Sequence, residues 1–140
     1  MSGHFFELEL ETERRVARSR QLSAFRRNAT TWELLLMLAA HNGKSDLGLY
    51  NTLDQLETGY LGQSAMLKFL RDRRSDGLLE FEEHDKKSMW RLRLSSELHG
   101  ELVNLLEERN IRLNALEVQG SGSYLPGDRT VQVLKSSVKT

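Results

Sequence analysis

Up to about residue 118, apolar residues recur mostly with the period of a helix. Phe5, Leu8, Thr12, Val16, Leu22 and Phe25 line one side of a long, charged segment, and their spacing predicts a single helix over 4–27. Thr30-Thr-Trp-Glu33 predicts the start of a second helix. A threonine cap with a glutamate three positions on can satisfy two orphan N–H groups reciprocally. Trp32, Leu35, Leu36, Leu38 and Ala39 make this helix apolar nearly all round, as expected of a central core helix, and Asn42-Gly43 stops it.

Ser45-Asp46 is expected to cap a short third helix carrying Leu47, Leu49, Tyr50, Leu53 and Leu56, which Thr58-Gly59 ends. Gln63 or Ser64 starts a fourth, with Ala65, Met66, Phe69 and Leu70 as its buried stripe and Gly77 as its stop. Two short helices joined by a tight glycine-containing turn have the layout of a helix-turn-helix. The period then changes to two. Leu79 and Phe81, then Trp90, Leu92 and Leu94, alternate with charged residues and predict two half-buried strands around a polar tip, His84-Asp85-Lys86-Lys87-Ser88. Ser95 or Ser96 opens a fifth helix with Leu98, Leu102, Val103, Leu105, Leu106, Leu113 and Leu116 along one side.

After Gly120 the pattern fades. Gly120-Ser-Gly-Ser123 reads as a flexible joint, Tyr124 to Asp128 as a turn around the single proline, Pro126, and Thr130 to Leu134 as a short strand. The expected fold is mainly α with a small β-hairpin wing (α+β). Residues 1–118 form a winged helix-turn-helix flanked by N- and C-terminal helices, and residues 119–140 a flexible or weakly structured tail.

Composition narrows the function classes. The 140 residues are 39% hydrophobic and 29% charged, a globular balance with room for one core. The longest apolar run, Leu34 to Ala40, is far short of the about 20 residues a membrane span requires. There is no cysteine, so disulfides, thiolate metal sites and cysteine nucleophiles are excluded. The N-terminal residues lack the basic-then-apolar pattern of a secretory signal, and a cytoplasmic location is expected. The four histidines (4, 41, 84 and 99) are scattered without metal-ligand spacing, and no phosphate loop or dinucleotide fingerprint is present. No cofactor, metal or enzymatic activity is therefore expected.

Twenty basic and twenty acidic side chains cancel, so their distribution carries the information. Residues 14–27 hold six arginines and no acid, and residues 68–74 hold Lys68, Arg71, Arg73 and Arg74 against Asp72 alone. Acids gather at 7–13, 80–85 and 97–108. In the helix at 63–76, Gln63 could pair with adenine, and Lys68 or Arg71 with guanine, while Ser64 lies on an outer face. Arg73 and Arg74 are expected to meet phosphates. Lys86 and Lys87 at the hairpin tip could lie along a minor groove.

From Trp32 to Leu106 the chain resembles the MarR-type winged helix-turn-helix transcriptional regulators. The resemblance is carried by Ser64-Ala-Met-Leu-Lys-Phe-Leu70, Gly77-Leu-Leu79, Asp85-Lys-Lys-Ser88, Leu92-Arg-Leu-Ser95 and Gly100. Three departures stand out: Lys87 where the family has a wing arginine, Arg73 where it has a leucine, and an acidic first wing strand. The resemblance implies sequence-specific binding of double-stranded DNA by a homodimer, and a small aromatic effector held between the dimerisation helices and the DNA-binding lobe. Phe25, Trp32 and Leu36 could line such a pocket and are equally good core residues. The homodimer also has a geometric motive, because the helices at 4–27 and 96–118 have apolar stripes that so small a winged core cannot cover alone. The alternative is a winged-helix protein-interaction module that does not touch DNA, which the neutral net charge and the acidic strand favour.

Overall fold

A computed structural model describes residues 3–59 and 61–122. The expected turn at 124–128 and strand at 130–134 lie outside the described residues. The chain is mainly helical with one antiparallel hairpin, in the order α1 (Gly3–Arg18), α2 (Arg20–Phe25), α3 (Ala29–Ala40), α4 (Leu49–Asp54), α5 (Gln63–Ser75), β1 (Leu79–Glu82), β2 (Arg91–Leu94) and α6 (Ser96–Gly122). A 3-10 turn, Lys87–Met89, lies between the strands. Helix α6 runs through Gly120, so the joint expected at 120–123 is helical as far as Gly122.

The single helix expected over 4–27 is broken at Ser19. The Ser19 backbone is extended, and its Oγ accepts the Leu22 N–H at 3.0 Å, which caps α2. The break has a packing reason. Val16 and Leu22 are six residues apart and would point in different directions on an unbroken helix, yet both are buried in one core. Helix α3 is capped by Asn28, whose Oδ1 accepts the Thr31 N–H at 3.0 Å, and not by the expected Thr30–Glu33 box. Thr30 and Thr31 are buried inside the helix, and the Thr31 hydroxyl donates to the Phe25 carbonyl at 2.7 Å. Leu34, Leu35 and Leu38 face the core, whereas Leu36 lies at the surface.

Leucines from α2 through α6, with Val16 of α1, form one core with Phe25, Met66 and Phe69. The Phe25 and Phe69 rings pack edge to face at 5.3 Å and join α2 to α5. In the hairpin Leu79 faces Leu94 and Phe81 faces Leu92, all on the inner side, as the period of two predicts. Ser45 does not cap α4, whose N-cap is Gly48. Instead the segment after α3 lies against β2: Lys44 bridges Arg93, the Ser45 N–H donates to the Leu92 carbonyl at 2.8 Å, and the Leu94 N–H donates to Gly43 at 2.7 Å. The Ser45 hydroxyl is buried, accepts the Leu92 N–H at 3.0 Å and donates to the Leu47 carbonyl. Ser45→Ala would leave that N–H without its partner and should lower stability by about 2 kcal/mol, read from urea unfolding midpoints.

Helices α1 and α6 pack on each other within the chain. Arg112 pairs with Glu11 at 2.5 Å, Arg15 pairs with Glu108, and Gln21 donates to Glu101 at 3.0 Å, so the two segments run in opposite directions. Leu8, Leu102 and Leu105 are buried, while Phe6, Leu10, Leu106, Ile111 and Val118 remain exposed.

Candidate nucleic-acid interface

Helix α5 is held by its inner face. Met66, Phe69, Leu70 and Arg73 are spaced three, one and three apart, which places all four on one side, and all four are buried. On the opposite side Ser64, Lys68, Arg71 and Ser75 recur at helical spacing and are exposed. Gln63, Leu67 and Arg74 flank that stripe on the side where the hairpin sits. Of the residues singled out from the sequence, Gln63, Ser64, Lys68, Arg71 and Arg74 are therefore displayed together, with Lys86 and Lys87 on the adjacent hairpin tip, all exposed.

Arg73 is not part of that surface. It is 8% exposed, its Nε donates to Asp76 at 2.9 Å, and its guanidinium lies over the Phe69 ring at 4.9 Å. The expectation that Arg73 meets phosphates is corrected. Its position seven residues after Met66 puts it on the inner face, where a long side chain buries its stem against the aromatic ring.

Three of the displayed cations, Lys68, Arg74 and Lys87, already have partners. Lys68 Nζ lies 3.0 Å from Asp72, one helical turn on. That hydrogen bond, acting with the charges of Lys68, Arg73 and Arg71, outweighs partial desolvation and holds the Asp72 carboxyl below the ordinary aspartate range. Arg74 donates to Glu83 at 2.9 Å and stacks over Phe81 at 4.8 Å and Trp90 at 5.9 Å, which ties α5 to the hairpin. Lys87 Nζ is 6.0 Å from the Trp90 ring centre, and the Trp90 indole donates to the His84 carbonyl at 2.9 Å, bracing the tip.

Glu80 and Glu82 face solvent, as the alternation predicts. Across the ladder they meet Arg93 and Arg91, so the acidic strand is answered by a basic one. The arginine run at 14–27 is likewise spent partly within the fold: Arg15 pairs with Glu108, and Arg26 pairs with Glu13 at 2.7 Å and stacks on Trp32. Between α5 and the hairpin lies a cavity of about 210 Å³ walled by Leu49, Leu67, Leu70, Phe81 and Trp90, with Arg71, Arg74 and Lys87 around it. Of the three residues that could line an effector pocket or belong to the core, Phe25 is core, sealed against Phe69, Trp32 packs partly buried against the core, and Leu36 is at the surface.

A helix-turn-helix followed by a two-stranded wing is the architecture of winged-helix proteins. No protein-family model matches the chain, and no curated protein matches it. One solved structure overlaps it over 97% of this chain and 74% of its own, at 20% identity and a TM-score of 0.41. That structure is the organohalide-sensing transcriptional regulator RdhR-CbdbA1625 with 2,4-dichlorophenol bound.

Proposed function

We propose that the protein is a sequence-specific DNA-binding transcriptional regulator that acts as a homodimer. The observation that supports this reading is the outward stripe Ser64, Lys68 and Arg71 on the second helix of a helix-turn-helix, beside a hairpin tip bearing Lys86 and Lys87. Helix α5 enters the major groove. Gln63 and Ser64 near its N-terminus reach base edges, Lys68 and Arg71 read guanine or meet phosphate, and Arg74 meets phosphate beside the wing. One such helix covers only a few base pairs, and two-fold pairing doubles the contact. Phe6, at 65% exposure, and Ile111, at 68%, lie on the helices that would meet a second copy. The small aromatic effector implied by the resemblance would find apolar walls in the cavity between α5 and the hairpin, and there it would compete with the duplex for Arg71 and Lys87.

Selection from a random duplex library should recover an inverted repeat with half-sites about 10–10.5 bp apart, or a multiple of that spacing, and light scattering should give twice the chain mass. Lys68→Ala should cost about 1 kcal/mol on the selected site, since Lys68 must first leave Asp72. The alternative, a winged-helix module that binds protein, is favoured by the pairing of Lys68 with Asp72 and of Arg74 with Glu83. Duplex affinity that is negligible, or insensitive to salt, would select the alternative.

A further inference from the structure

We propose that Glu33 positions the reading helix by gripping the turn that precedes it, an inference that rests on the DNA-reading role of α5. Glu33 lies on α3, and its carboxylate accepts the Glu57 N–H at 2.8 and 3.0 Å, the Thr58 N–H at 2.9 Å and the Thr58 hydroxyl at 2.8 Å. The Thr30 and Thr58 hydroxyls are 2.9 Å apart beside it. Residues 57 and 58 follow α4 and precede α5, so one carboxylate holds the link between the two helices against the helix at the centre of the core. These donors would otherwise face water, and a charged acceptor makes the hydrogen bonds stronger than neutral ones.

The consequence is geometric. Base-edge hydrogen bonds tolerate only a few tenths of an ångström, whereas attraction to phosphate falls off slowly with distance. Helix α5 begins at Gln63, five residues after Thr58, so movement of the turn displaces Ser64 and Lys68 from base edges before it removes any charge from the duplex. Glu33 is thus a positioning residue, whose loss degrades discrimination rather than general attraction. Partial burial pushes its pKa up, but the three donors from Glu57 and Thr58 outweigh it and keep the carboxyl below the ordinary glutamate range. A pKa depressed in the fold means that the grip is complete above the unfolded-state value. It is lost as pH falls through the lower folded-state value, so it is intact at neutral pH.

The test compares the parent, Glu33→Gln and Thr58→Val by titration against the selected site and a random duplex, and by amide resonances of the free protein. In the parent, the Glu57 and Thr58 amide shifts should follow the titration of Glu33. In Glu33→Gln they should lose that titration and exchange faster. Discrimination between the duplexes should fall about tenfold in Glu33→Gln and less in Thr58→Val, with random-duplex affinity and salt slope unchanged. Equal weakening on both duplexes, or full discrimination despite released amides, would overturn the positioning role. Amides insensitive to Glu33 would overturn the grip itself. A parent that grips the turn yet does not discriminate between duplexes would overturn the DNA-reading role on which the inference rests.

Discussion

Gly48→Ala should destabilise the protein by about 3 kcal/mol and lower its Tm by roughly 10 °C, whereas Gly62→Ala should be close to neutral. The two glycines are the N-caps of α4 and α5, and both have ordinary negative φ, −64° and −77°, so conformational freedom does not separate them. Space does. A Cβ on Gly48 would lie 2.0 Å from the Ser88 carbonyl oxygen and 3.0 Å from the Met89 Cα, both backbone atoms of the hairpin tip, while one on Gly62 would meet nothing within 4 Å. Backbone cannot rotate aside as a side chain can, so the tip must move off α4. Trp90 would move with it, and with Trp90 the ring on which Arg74 and Lys87 rest. Thermal unfolding of both variants checks this. If Gly48→Ala melts with the parent, the tip is not seated against α4.

The elements that bear the candidate interface were legible in the sequence because their signals are local. Glycine stops bounded α5, and the alternation of Leu79 and Phe81 with Glu80 and Glu82 marked the hairpin. What was not legible depends on contacts between distant residues. Glu33 stands three positions after Thr30, as a capping glutamate would, and nothing nearby says that its partners lie at 57 and 58. Lys44 and Ser45 join the sheet with too few residues to show a period. Gly48 owes its identity to Ser88, forty positions away. Arg73 and Ser19 are different. The i, i+4 and i+7 relation of Arg73 to Phe69 and Met66 marks an inward position, which its charge disguises. The six-residue gap between Val16 and Leu22 was the sign of a break, masked by the continuous polar surface around it.

Arg74→Ala should weaken binding to any duplex about 30-fold and flatten the salt slope by about one unit, while Glu83→Gln should tighten binding at low salt. Arg74 has two roles on one guanidinium. It donates to Glu83 at 2.9 Å, and it lies over Phe81 and Trp90, which fixes the hairpin beside α5. Its removal takes away a charge that would meet phosphate and also the stacked contact that keeps Lys86 and Lys87 at the edge of the same surface. The loss should therefore exceed that of a phosphate contact alone. Glu83 occupies the donor face that a phosphate would use, so the duplex must displace a carboxylate that is half exposed and held by little more than one hydrogen bond. Neutralising it leaves the aromatic stacking intact and removes both the competition and a like-charge repulsion, an advantage that should fade as salt screens it. Titration of the parent, both single variants and the double variant at two salt concentrations separates the effects. In the double variant Glu83→Gln should lose most of its benefit, because the cation it frees is gone. Additive effects would mean that Glu83 acts on the duplex directly and not through Arg74.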